Sequence, residues 1–146
     1  MGEVRGLEVF DMLQAMHTGH DGSICTVPAN NARDALIRIE NTVQMGGLAL
    51  PVQAIRTQIA SAVDLVVQVE RMRDGVRRVS QVTEVCGLEG DVFVTNDVFA
   101  FEFGAEAPGG QLSGRYLTSG AQPGFVERLR YFGYDRAWIS VLRDAG

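Results

Sequence analysis

At Asp64 the hydrophobic period of this chain changes, and that change limits the available folds more than any other feature of it. Before Asp64 apolar residues recur at helical spacing; after it they alternate or cluster in short β-branched runs, as strands do. Val9, Phe10, Leu13 and Met16 form a first stripe that ends in the turn-rich His17-Thr18-Gly19-His20-Asp21-Gly22. Ala32, Leu36, Ile39 and Val43 form a second, which stops at Gly46-Gly47. Val52, Ile55, Ile59 and Val63 form a third, opened by Pro51 at a position suited to a first helical turn. Asn30 and Asn31 are N-cap candidates for the second helix, and Asp34 stands in its first turn, where the helix dipole favours a carboxylate.

Between the first two helices, Ile24 to Val27 reads as a short buried strand that Pro28 ends, because proline cannot donate to a sheet ladder. Beyond Asp64, LVVQV, VSQVTEV and VFVTNDVFAFEF read as strands separated by turn chemistry at Asp74-Gly75 and from Gly87 to Asp91. Phe99, Phe101 and Phe103 alternate with Ala100 and Glu102, which makes that strand half buried. Gly104 to Gln111 reads as a Gly/Pro/Ala-rich surface loop, LSGRYLTS as a last strand, and Gly124 to Phe132 as a terminal helix with Phe125, Leu129 and Phe132 on one side. The opening MGEVRG passes into a helix with almost no strand before it, as though a parallel strand were cut just short of its carboxyl end. In open α/β sheets that end is where sites are built.

The 146 residues suffice for one compact domain, or for a smaller core with an appendage. A net charge of -5 and the lack of any Lys/Arg run argue against nucleic acid as a partner. Cys25 and Cys86 fall in apolar runs without CxxC or Cys/His spacing, so buried free thiols are expected rather than zinc or a disulfide. No apolar run approaches the ~18 residues that span a bilayer, and the start carries no basic stretch followed by an apolar one. A cytoplasmic location is the expectation.

Several side chains can carry chemistry. Glu3, at an expected strand end, can hold a magnesium-bound water or act as general base in phosphoryl transfer, or be an exposed terminal glutamate. Arg5 can clamp a phosphate or pair on the surface with Glu3 or Glu8. His20 can donate to a phosphate or sit favourably at the adjacent helix end. Arg33, Arg38 and Arg56 lie opposite apolar helix faces, as solvated arginines do, and Asp64 and Glu84 at strand ends have no partner visible in the sequence. No Ser/His/Asp set, H-E-x-x-H motif, zinc pattern or G-x-x-x-x-G-K-[ST] loop occurs, and all thirteen cations are arginines, so no lysine can cradle a phosphate.

MGEVRG, EVFDMLQAMHTGHDGSICTVPAN, NARDALIRIE, LPVQAIRTQIASAVDLVVQVERMRDGVRRVSQVTEVCGLEGD and GFVERLR, in that order, resemble the secretion-ATPase superfamily of type II and type IV secretion and pilus assembly. The CpaF-like ATPases of Tad/Flp pili are the nearest likeness. The resemblance implies the carboxyl-terminal part of a RecA-like P-loop NTPase domain, a partial parallel α/β sheet with helices over residues 1–64, followed by a β-rich appendage with a terminal helix over 65–146. It implies a hexameric motor that couples hydrolysis of ATP with Mg²⁺ to protein export, with homo-oligomer or intact motor subunits and inner-membrane platform proteins as partners, peripheral at the inner membrane.

Residue by residue, the resemblance places Glu3 in the Walker B strand as catalytic carboxylate, with Arg5, His20 and Thr26 sensing nucleotide. Thr18 to Gly22 and Thr26 match a His box. The departure is Pro28, which stands where the family pattern T-I-H-A-N has its second histidine and supplies neither donor nor titratable group. The family's Walker A loop and Asp box would precede Met1, so no nucleotide is expected to bind the 146 residues alone. The alternative is a non-catalytic assembly or regulatory module that docks on intact motor subunits, since an unpaired sheet edge invites pairing with another chain.

Overall fold

The computed structural model of the chain describes residues 6–19, 22–110 and 112–145. Its elements are three helices, α1 (Leu7–His17), α2 (Ala32–Met45) and α3 (Val52–Ala62), then four strands, β1 (Leu65–Arg71), β2 (Arg77–Glu89), β3 (Val92–Glu106) and β4 (Leu112–Thr118), and two helices, α4 (Val126–Tyr131) and α5 (Asp135–Asp144). The strands form one sheet in the order β1-β2-β3-β4. Their connections are too short for parallel crossovers, so neighbours run antiparallel, as the β3–β4 register of Phe101 opposite Tyr116 and Glu102 opposite Arg115 shows.

The described residues fall into two compact units. One comprises those of Met1–Val66 with Val85–Thr95, the other Val67–Glu84 with those of Asn96–Gly146.

In the first unit the three stripes legible in the sequence become one core. α1, α2 and α3 pack pairwise, and Leu13, Leu36, Val43, Ile55 and Ile59 are buried to within about 1% of full exclusion, closed over by Val85 and Phe93. Burying each such side chain contributes roughly 1.5–3 kcal/mol before entropy is subtracted. α2 starts where its cap chemistry says. Asn31, extended at φ -160°, accepts the Asp34 amide N–H on its side chain at 2.8 Å, while the Asn30 N–H donates to the Asp34 carboxylate at 2.9 Å.

In the second unit a chain of edge-to-face rings runs through Phe103, Phe101 and Tyr116, and another joins Phe99, Trp138 and Phe125. Gly114 is needed where it stands, because a Cβ there would run into the Phe101 ring and the Glu102 carbonyl.

Several expectations are corrected. Ile24 to Val27 is extended but forms no strand; only Thr26 makes an isolated bridge, and Ile24 is 78% exposed. The supposed loop from Gly104 is shorter, because β3 continues to Glu106 through an irregularity between Phe103 and Glu106. Helix α5 was not expected: the terminal helix reads over Gly124 to Phe132, although Trp138, Val141 and Leu142 recur at helical spacing beyond it. Cys86 is exposed and Cys25 half buried, so the expectation of two buried thiols is corrected, while neither cysteine forms a disulfide. The sheet is antiparallel, and the parallel strand expected around Glu3 lies outside the described residues.

Candidate nucleotide-sensing site

Of the four residues singled out for nucleotide chemistry, Glu3, Arg5 and His20 lie outside the described residues, and Thr26 is described. Thr26 is exposed on the extended segment between α1 and α2. Exposure alternates along this segment: Ile24, Thr26 and Pro28 face outward, whereas Cys25 and Val27 pack against the helical core. Thr26 and the position where a second histidine was expected therefore share one side. Burial pushes the Cys25 thiol above its ordinary pKa, which leaves it a poor nucleophile.

The segment is anchored at both ends by helix caps. Thr18 donates its hydroxyl to the carbonyls of Gln14 at 3.0 Å and Ala15 at 3.2 Å, and so serves the carboxyl end of α1. At the other end the start of α2 is already closed by a carboxylate. The Asn30 amide, and behind it the Arg38 guanidinium at 3.3 Å, hold the Asp34 carboxyl below its usual range. A helix start that faces a fixed carboxylate is a poor seat for a phosphate.

The three helix arginines divide. Arg38 pairs with Asp34, and Arg33 is exposed in the first turn of α2. Arg56 does something the sequence did not reveal: its Nε donates to Glu40 Oε2 at 2.8 Å, its Nη2 to Oε1 at 3.2 Å, and its Nη1 to the Asp91 carbonyl at 2.9 Å. Gln53 adds a bond from α3 to the Gly90 carbonyl at 3.0 Å, so α2, α3 and the β2–β3 turn are tied together. The available signal was Glu40 itself, an acid on the inner stripe of α2. Asp64 contributes through its backbone, its carbonyl accepting the Val85 N–H at 2.9 Å, while the Glu84 carboxylate lies beside Gly124.

A second missed cluster joins Asp74 to Arg78. The guanidinium grips both carboxylate oxygens at 2.9 and 2.8 Å, the Val76 and Leu112 amides donate to the same carboxylate, and Arg78 also reaches the Leu112 carbonyl and lies over the Phe101 ring. Both clusters are structural: each partner's hydrogen-bonding capacity points inward to another part of the protein.

A triphosphate with Mg²⁺ does not fit the described residues by themselves. Thr26 offers one exposed hydroxyl, the helix start beside it carries a carboxylate, and no group of three or more His, Cys, Asp or Glu among the described residues can hold a metal ion. Nor is any helix among them long and apolar enough to cross a membrane.

Comparison with known proteins supplies the context. Residues 1–97 match the family described as Type II/IV secretion system protein. The chain is 41% identical over 92 residues to a protein of Mycobacterium tuberculosis provisionally named as a conjugal transfer protein, covering 63% of this chain and 26% of the relative. It is 35% identical over 95 residues to the conjugal transfer protein TrbB of Rhizobium radiobacter, covering 65% and 28%, and 40% identical over 85 residues to the type IV secretion system protein PtlH of Bordetella pertussis, covering 53% and 24%. The chain thus spans about a quarter of the length of these curated relatives.

Proposed function

This chain belongs to the type II/IV secretion system protein family, and from that premise we propose that it is a segment of a secretion ATPase motor, of the Tad/Flp pilus kind, inactive toward ATP by itself. The observation that carries the reading is one of extent: every described residue of the helical unit, including the Val85–Thr95 hairpin end, falls inside the matched residues 1–97. The family match therefore takes in the packed helical core among the described residues. In this reading residues 1–64 are part of a RecA-like core and 65–146 an appendage; Glu3 is the catalytic carboxylate and Arg5, His20 and Thr26 report on nucleotide. ATP and Mg²⁺ bind only when a phosphate loop is supplied from outside the 146 residues. The working form is a homo-oligomer or a complex with intact motor subunits, in the cytoplasm at the inner membrane beside platform proteins.

A second reading, a non-catalytic module that docks on intact motor subunits, is favoured by Pro28. That residue occupies the exposed side shared with Thr26 and offers no proton to a nucleotide.

Titration of the purified chain with a fluorescent ATP analogue and Mg²⁺ tests the inactivity, with Glu3→Gln and His20→Ala as controls. No binding up to millimolar nucleotide is expected; saturable binding weakened by His20→Ala overturns it. The motor reading is tested by fusing a family phosphate-loop segment ahead of residue 1. Hydrolysis that falls by about 10²-fold or more in Glu3→Gln supports it, and hydrolysis indifferent to Glu3, with or without Pro28→His, leaves only the docking module.

A further inference from the structure

We propose that the turn between α4 and α5 is a docking surface for an anionic lipid bilayer. The turn lies in the second unit, beyond residue 97 where the family match ends, so the match assigns it no role.

Its backbone is held firmly. The Tyr134 N–H donates to the Leu129 carbonyl at 2.8 Å and the Gly133 N–H to the Arg130 carbonyl at 3.1 Å, with Gly133 at φ 81°. This pair of bonds around a left-handed glycine is the Schellman closure of a helix end, and it fixes where the neighbouring side chains point. They point away from the protein: Tyr131 is 85% exposed, Phe132 61% and Tyr134 60%. The Tyr131 and Phe132 rings stand perpendicular to each other, centroids 5.0 Å apart. Three large aromatic side chains held out on a rigid turn are hard to account for in water alone.

The charge around them selects the occupant. The stretch Arg128 to Arg136 carries three arginines and one aspartate, a balance of 3 − 1 = +2 in a chain whose net charge is -5, so the rest carries -7. Arg130 and Arg136, one on each side of the aromatic group, are exposed. Rings with an apolar body and a polar tip settle at the headgroup level of a bilayer, and guanidinium groups beside them are drawn to anionic lipid. A second basic turn, Arg71 to Arg78, carries no aromatic side chain and supplies the control. A second copy of the chain is the competing occupant, and the test separates the two.

The test is flotation of the 146-residue chain with phosphatidylcholine vesicles that contain or lack about 30% phosphatidylglycerol. Binding to the anionic vesicles alone, weakening with salt, is expected. Tyr131→Ser with Phe132→Ser should lower the partition coefficient about ten-fold, and Arg130→Glu with Arg136→Glu should do the same by the independent route of charge. Arg73→Glu with Arg77→Glu should change it by less than about two-fold. Trp138 fluorescence, sensitive to its packing on Phe99 and Phe125, shows that each variant is folded. Absence of flotation overturns the proposal, as does an equal loss from the Arg73/Arg77 pair, which would reduce the effect to bulk charge. A lipid-free dimer by sedimentation that Tyr131→Ser with Phe132→Ser converts to monomer overturns it in favour of a second copy.

Discussion

The Arg56 guanidinium holds both carboxylate oxygens of Glu40, which is only 6% exposed, and the same arginine reaches the β2–β3 turn through the Asp91 carbonyl. A buried acid whose cation is removed keeps its desolvation cost and loses the compensation. Arg56→Met is therefore expected to lower the denaturant midpoint well beyond Arg38→Met, whose partner Asp34 is more exposed. Equal midpoints for the two variants would show that the clamp contributes nothing.

The helical core sets a second expectation. Leu36 and Ile59 are fully excluded from solvent, and truncating either to alanine should cost about 2–5 kcal/mol in a urea titration, because the cavity adds to the lost transfer term. Met45, on the same helix as Leu36 but 85% exposed, should tolerate alanine within about 0.5 kcal/mol. A similar cost at Met45 and Leu36 would mean that Leu36 does not lie in the helical core.

Asn31→Ala removes the acceptor for the Asp34 amide and should cost about 0.5–2 kcal/mol, whereas Asn31→Ser should recover most of it. The two differ only in whether a side-chain oxygen can cap α2, so equal stability of both, measured by thermal unfolding, would deny the cap.

Acid should act through Asp74. The Arg78 side chain, and then the Leu112 and Val76 amides, hold its carboxyl well below the ordinary range. The folded pKa is depressed relative to about 3.9 in the unfolded chain, so the folded state favours the ionised form. That stabilisation is complete above about pH 4 and is lost as pH falls from there toward the folded value. Melting temperatures of the parent and Asp74→Asn, measured from pH 7 to 2.5, should converge below pH 4; a constant gap across the range would place the effect elsewhere.

Much of the first unit was legible in the sequence because helix-forming information is local. The stripes around Leu13, Leu36 and Ile55, the Asn31 cap and the Pro51 start lie within a few residues of what they specify, and α1, α2 and α3 begin and end within two residues of where these signals put them. The segment from Ile24 to Val27 marks the limit. Its β-branched residues fit a strand, but a strand needs a neighbour, and only Thr26 finds a bridge. Helix α5 marks another: Trp138, Val141 and Leu142 recur at helical spacing, but Trp138 packs on Phe99 and Phe125, which stand 39 and 13 positions away in sequence, a pairing no local pattern announces.

The sequence by itself determined the helical and β-rich halves, the caps and the order of motifs that ties the chain to its family. Only the tertiary structure decided that Thr26 and Pro28 share an outward side, that Glu40 and Asp74 are held by Arg56 and Arg78, and that Tyr131, Phe132 and Tyr134 stand in solvent. The division has one physical cause. Backbone preference and hydrophobic period act over a turn or two of chain, whereas exposure and ion pairing depend on which distant segments meet, and that is settled only when the whole core is packed.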